Sequence, residues 1–390
     1  MQTPVLRKGV VALLASASLL LSACSSGDGP AAGGGPSSSP ASATPAPASP
    51  SADLPPAKGS VEVVKTLTDG LASPWGLAAL PGGDLLVSSR DEATITRIDG
   101  ESGRKTLLGS VPGVAPAGEG GLLGLAVAPT FGADHLIYAY LTTESDNRIV
   151  RLQYDEKKPA RQQLGAPDTI LRGIPKGSIH NGGRIAFGPD RMLYAGTGET
   201  GDTGLAQDRS SLSGKILRMT PDGEPVHGNP EGDSLVYSYG HRNVQGLAWD
   251  SGKRLWAAEF GQDTWDELNL IEPGRNYGWP DVEGKEGKKG FVDPVAQWKT
   301  SEASPSGIAY AEGSVWMAGL RGERLWRIPL SGRADGEPLA APQAFLEGKY
   351  GRLRTVLAAG GDRLWLVTSN TDGRGTPKSG DDRILLLKVR

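Results

Sequence analysis

Cysteine is all but missing from this chain: one residue, Cys24, in 390. No internal disulfide can form. No Cys/His set has the spacing of a zinc site, and no Cys-x-x-Cys-His run could attach haem. A dominant charge is missing too. The chain has 41 Lys and Arg against 44 Asp and Glu, a formal net charge of -3. That balance argues against a nucleic-acid or polyanion binder, so any cluster of positive charge must be local. No glycine-rich dinucleotide fingerprint opens a helix, which disfavours NAD. No Gly-x-Ser-x-Gly elbow is present either. From residue 60 onward, helical periodicity is nearly absent. Glycine, by contrast, is abundant at 56 residues.

The one long apolar run, Gly9 to Leu21, follows Arg7 and Lys8. It is too short to span a bilayer comfortably and reads as a targeting segment. It ends in Leu21-Ser22-Ala23-Cys24, which looks like a bacterial lipobox. The alternative is an ordinary signal peptide with a chance cysteine. The expectation is a signal peptide over residues 1–23 and lipidation at Cys24. The only membrane contact is then the lipid anchor, on the outer face of the cell membrane. Residues 24–58 are almost entirely Ser, Gly, Pro and Ala, with no large apolar side chain before Leu54. Such a segment cannot bury enough surface to fold and reads as a tether. The folded domain is expected over residues 59–390, beginning near Val61.

Within that domain, short apolar runs alternate with Gly, Pro and Asp, as in all-β proteins. One hairpin recurs. Gly76-Leu77-Ala78 pairs with Leu85-Leu86-Val87, and Gly124-Leu125-Ala126 with Leu136-Ile137-Tyr138. The same unit returns at Arg184-Ile185-Ala186, Gly246-Leu247-Ala248, Gly307-Ile308-Ala309 and Thr355-Val356-Leu357. The third positions are 48, 60, 62, 61 and 48 residues apart. Four strands and their turns fit that period, so the spacing predicts a six-bladed β-propeller of four-stranded antiparallel blades. Two smaller β domains are the alternative.

A hairpin brings the residue before its first strand and the residue after its second to the same end. If these hairpins are innermost, one mouth collects Glu119, His180, Asn181, His241, Arg242, Asn243, Arg352 and Arg354. From the second strands come Arg90, Glu199, Glu259, Gln262, Arg321, Arg324 and Asp372. Any one of these could be a solvated loop residue. Their convergence suits a ligand at the channel mouth.

Arginines from separate blades suit a flat ligand with several anionic groups. His180 sits in Gly177-Ser178-Ile179-His180-Asn181-Gly182-Gly183, where glycines permit a tight turn and a close approach. It reads as a general base, or alternatively as a loop histidine capping a turn. The run Glu259 to Asn269 is dense in oxygen donors, as calcium loops are.

These motifs together resemble the soluble glucose dehydrogenase and aldose sugar dehydrogenase family. The resemblance rests on Gly118-Glu119-Gly120-Gly121-Leu122-Leu123-Gly124, His180-Asn181-Gly182-Gly183-Arg184 and Gly240-His241-Arg242-Asn243-Val244-Gln245-Gly246-Leu247. It extends through Asp266-Glu267-Leu268-Asn269, Asn276-Tyr277-Gly278-Trp279-Pro280 and Gly351-Arg352-Leu353-Arg354. It implies oxidation of an aldose at C1 to the lactone, with pyrroloquinoline quinone (PQQ) and Ca²⁺ as cofactors and an external electron acceptor. By the same resemblance, His180 is the base and Arg242 and Asn243 contact the quinone. Arg321, Arg352 and Arg354 hold the cofactor carboxylates, and Glu119 faces the substrate. The carbonyls of Gly261 and Gln262 bind the cofactor's calcium, while Glu267 and the Tyr277 carbonyl belong to a second. Departures are Gln262 and Val244 in place of prolines, Ile179 in place of an acid before the histidine, and Gly287 where a further carboxylate is expected. Two readings compete: a non-catalytic propeller that binds carbohydrate or an envelope protein, and a calcium-dependent lactonase.

Overall fold

Each Gly-Leu-Ala unit forms the inner strand of one blade. The computed structural model describes residues 54–390. The expected signal peptide, Cys24 and most of the tether therefore lie outside the described residues. Six four-stranded antiparallel sheets follow one another in the order the repeat predicts. The inner strands are Pro74–Ala79, Leu122–Val127, Ile185–Phe187, Val244–Trp249, Pro305–Ala311 and Leu353–Ala358, in blades one to six. In the sixth blade the outermost strand is Val61–Thr68, paired with Ile384–Val389 from the other end of the domain. The ring is thus closed by hydrogen bonds between its two chain ends.

Why glycine recurs on the inner strands is a matter of distance. A Cβ on Gly76 would lie 2.6 Å from the carbonyl oxygen of Leu123 in the next blade. On Gly124 it would lie 2.2 Å from the carbonyl oxygen of Gly183. Neighbouring inner strands abut there, and only glycine leaves room. The third and sixth blades carry Arg184 and Thr355 at the same repeat position. The Arg184 guanidinium spans the channel to Thr355 Oγ1 at 3.1 Å and to the Gln245 carbonyl at 2.8 Å. The channel floor is thus plugged by side chains.

Five of the six inner hairpins shift register at their mouth end, for example between Pro74 and Leu77 and between Val244 and Gly246. Such bulges bend a strand and re-aim its side chains. Between blades, apolar layers fill the space, with Trp256, Trp316, Tyr138 and Tyr140 fully buried.

Lys215, at the start of a strand in the third blade, is also fully buried. Its ammonium donates to the carbonyls of Leu205, Ala206 and Ser213 at 2.7, 3.0 and 2.6 Å. Burial pushes its pKa down to about 8. Replacing it would leave the Leu205 and Ser213 carbonyls without this donor, while the Ala206 carbonyl keeps the Gly240 N–H. Lys215→Met is expected to cost about 3 kcal/mol in urea unfolding, and a loss below about 1 kcal/mol would show that water replaces the ammonium.

Candidate active site

At the mouth, a cavity of about 400 Å³ opens over the channel plug. His180, Glu119, Arg242, Gly261, Gln262, Arg321, Arg352 and Arg354, all expected there, line it. So do Trp75, Arg90, Gln245, Asp266, Asp372 and Arg374. The lining therefore carries six arginines against three carboxylates, Glu119, Asp266 and Asp372. In a chain of near-zero net charge, this is a strongly positive local field.

His180 is held from two sides. Its backbone lies in the left-handed region, with φ of 52°, a conformation that non-glycine residues rarely adopt and that concentrates at functional sites. Its N–H donates to Glu119 Oε2 at 2.9 Å. The ring Nδ1 lies 2.5 Å from Glu199 Oε1, whose side chain is 1% exposed. A buried carboxylate on Nδ1 keeps the ring proton there and leaves the Nε2 lone pair free. The glycines beside His180 serve close approach, but of the protein's own chain. A Cβ on Gly182 would lie 2.5 Å from the Gly196 carbonyl oxygen, and one on Gly198 would lie 2.0 Å from that of His180.

The arginines are arranged in layers. Arg352 donates through Nε and Nη2 to Asp372 Oδ2 at 3.1 and 2.9 Å. Arg354 Nη2 reaches the same oxygen at 3.1 Å, and its Nη1 reaches Gln245 Oε1 at 3.0 Å. Burial opposes ionisation of Asp372, but Arg354 and Arg352 beside it hold its carboxyl below the usual range. Burial pushes Arg354 down to about 10, so it stays charged at neutral pH. Arg184 and Arg354 both lie over the Trp75 ring, 4.4 and 5.7 Å from its centroid. Arg321 is exposed and, among the described residues, has no ion-pair partner. Arg374 reaches across the mouth to Glu119 Oε1 at 2.7 Å.

On the far wall, Arg242 is half-buried over Trp279, and burial lowers its pKa. Its Nε and the Nδ2 of fully buried Asn243 have no hydrogen-bond partner among the described residues. Asn243 stands behind the lining, where its Oδ1 accepts from the Gly182 N–H at 3.0 Å. Burial pushes the Asp266 carboxyl up to about 7. Glu267 and Tyr277 lie outside this cavity, around a separate void of about 10 Å³ with Glu259 and Glu283. Burial beside Glu259 raises the pKa of Glu267. Among the described residues, no three His, Cys, Asp or Glu side chains converge as a metal cage. The backbone carbonyls of Gly261 and Gln262 accept no hydrogen bond among the described residues.

His241 corrects the expectation of two histidines at the mouth. It is fully buried, stacked on Tyr277 with centroids 4.7 Å apart, and bonded to Ser238 and Glu259. Arg324 also turns away, pairing with Glu347 at 2.7 Å. Sequence reasoning gave no role to Glu199 or Asp372, although it placed both at this end. It gave no role to Trp75 or Gln245 either. The signal for these two was the repeat itself, since each directly precedes the inner-strand glycine, as Arg354 precedes Thr355.

A six-bladed propeller with a carboxylate-bonded histidine and an arginine-rich cavity at its mouth defines the class of small-molecule enzyme to which the comparisons lead. The chain matches the Glucose / Sorbosone dehydrogenase family over residues 71–385 and belongs to that family of oxidoreductases. It is 76% identical to the PQQ-bound aldose sugar dehydrogenase of Streptomyces coelicolor, with a TM-score of 0.85 over 86% of this chain and 100% of that one. It is 30% identical over 267 residues to the aldose sugar dehydrogenase YliI of Escherichia coli, spanning 66% of this chain and 72% of the relative. To quinoprotein glucose dehydrogenase B of Acinetobacter calcoaceticus it is 30% identical over 285 residues, 64% of this chain and 59% of the relative.

Proposed function

We propose that this chain is a PQQ- and calcium-dependent aldose dehydrogenase, oxidising the C1 hydroxyl of a sugar to the lactone and passing electrons to an external acceptor. The observation that carries the reading is the cavity itself: six arginines against three carboxylates, with a carboxylate-locked histidine in the wall. PQQ is a planar tricarboxylate, and the excess of arginines matches its charge. Arg242 lines the cavity, and its Nε and the Nδ2 of Asn243 behind it are buried donors without a partner among the described residues. The PQQ-bound Streptomyces relative supports the same cofactor.

When bound, PQQ would supply the acceptor for the C1 hydride, and calcium would supply positive charge that stabilises the reduced cofactor. The chain's own groups do the rest. Arg321, Arg352 and Arg354 would grip the cofactor carboxylates, and Arg242 and Asn243 its quinone end. Gly261 and Gln262 would offer carbonyls to calcium, with Glu267 and the Tyr277 carbonyl at a second ion. His180 Nε2 takes the proton from the C1 hydroxyl while Glu199 stabilises the imidazolium that forms. Glu119, which holds the His180 N–H, faces the sugar. Glu199→Gln is expected to lower kcat by about 10-fold or more at saturating PQQ, because an amide can impose the wrong tautomer. An unchanged kcat would remove Glu199 from the proton path.

The lactonase reading calls for an acidic metal centre in the channel. Here Arg184, Trp75, Gln245 and Arg354 occupy that place. By its leader and lipobox, the protein would work outside the cytoplasm on a lipid anchor. The product is the test of the reaction. Incubation with PQQ, Ca²⁺, an aldose and a dye should yield one lactone per two electrons, and consumption of a lactone in place of its formation would favour the lactonase.

A further inference from the structure

The loop after the second strand of blade four is wrapped around a single oxygen. Glu283 Oε1 accepts the backbone N–H groups of Gln262, Asp263, Thr264 and Trp265 at 2.7, 3.1, 3.0 and 3.1 Å. The N–H of Gly261 turns to Asp266 Oδ1 at 3.0 Å. Successive N–H groups converging on one anion form a nest, usually a site for a bound anion. Here the anion is a side chain of the same protein.

The nest dictates where the carbonyls go. In a trans peptide unit the N–H of one residue and the C=O of the residue before it point in opposite directions. The Gln262 N–H shares its peptide unit with the Gly261 carbonyl, and the Asp263 N–H shares its unit with the Gln262 carbonyl. Both N–H groups point at Glu283, so both carbonyls point away from it. Gly261 and Gln262 line the cavity. A side chain at 261 would spoil the arrangement, since a Cβ there would lie 1.9 Å from the Trp265 carbonyl oxygen and 2.7 Å from Glu283 Oε1. The arm carrying Glu283 is pinned in turn, as the Gly284 N–H donates to Glu267 Oε1 at 2.8 Å.

We infer that Glu283 is a positioning residue for the cation of the cavity: by filling the nest, it holds the Gly261 and Gln262 carbonyls as a preformed pair of hard-cation ligands. This rests on the calcium reading above. Hard cations take carbonyl oxygens, and affinity follows the rigidity of the loop that presents them. Without the carboxylate, four N–H groups lose their partner, and the two peptide units are free to rotate the carbonyls out of register.

The test is the Ca²⁺ concentration at which the full-length protein takes up PQQ, read from the absorbance of the bound cofactor. That signal reports the cavity ion alone. Glu283→Ala is expected to raise the half-saturating Ca²⁺ by about 10-fold or more, with Glu283→Gln in between, because its amide oxygen can still accept. At saturating Ca²⁺ and PQQ, kcat should fall by less than about threefold, a split that general unfolding would not produce. If Glu283→Ala does not fold, Glu283→Gln decides alone. Variants that take up PQQ at the wild-type Ca²⁺ concentration overturn the inference and leave the proposed function intact. Wild-type uptake of PQQ that is indifferent to Ca²⁺ overturns the inference together with the calcium assignment, and no uptake at all overturns the function itself.

Discussion

His180→Ala is expected to bind PQQ with wild-type affinity and to oxidise sugar at least about 100-fold more slowly, the scale on which a general base acts. The geometry separates the two effects. His180 contributes no ion pair to the arginine cluster, so its loss leaves the grip on cofactor carboxylates unchanged. What disappears is the ring whose Nδ1 is fixed by Glu199. The left-handed backbone at 180 disfavours alanine, so His180→Asn is the companion variant, since asparagine tolerates that region. Both should fall to the same low rate. Stopped-flow reduction of the bound cofactor by sugar measures the step directly, and a rate within threefold of wild type in either variant would show that the base lies elsewhere.

Arg352→Ala is expected to weaken PQQ binding by roughly 10- to 100-fold, the worth of a charge-assisted hydrogen bond. Arg352 is suited to the role because it is already placed. Two of its nitrogens rest on Asp372 Oδ2, an oxygen that Arg354 shares. The guanidinium is therefore held before any ligand arrives, and little side-chain entropy is lost on binding. Once PQQ saturates, kcat should recover to near the wild-type value, because Arg352 does not touch the proton path. Fluorescence or absorbance titration of PQQ measures the affinity, and an unchanged value would remove Arg352 from the grip.

Much of this was legible in the sequence because the fold repeats. In four of the six blades a glycine marks where neighbouring inner strands abut, and the spacing of the whole hairpin unit orders the six blades. The same repeat set the mouth end of each hairpin, so His180, Arg242, Arg321, Arg352 and Arg354 could be gathered without coordinates. The repeat was less informative about side-chain direction. His180 and His241 both precede an inner strand, four and five residues before the equivalent positions Arg184 and Gly246, and each bonds a glutamate at or beyond the end of the second strand. Yet His180 lines the cavity, while His241 is stacked on Tyr277 and fully buried. The offset of one residue goes with the difference, since Arg242, four residues before Gly246, is the residue that lines the cavity there. The ring closure was hidden for a different reason. Val61–Thr68 is an outermost strand, lacks the inner-strand pattern, and pairs with residues at the far end of the chain. Glu283 could be read only as a carboxylate near the expected second calcium, because its partners are backbone N–H groups, which carry no sequence signature.

The central claim is that one cavity holds a quinone cofactor for sugar oxidation. Titrating the purified metal-supplemented protein with PQQ, in the presence of a redox dye and a panel of aldoses, tests it most directly. The account predicts that dye reduction appears only with PQQ, requires Ca²⁺ and an aldose, and saturates at one PQQ per chain. Dye reduction that is absent with every aldose, despite full occupancy by PQQ, would contradict it.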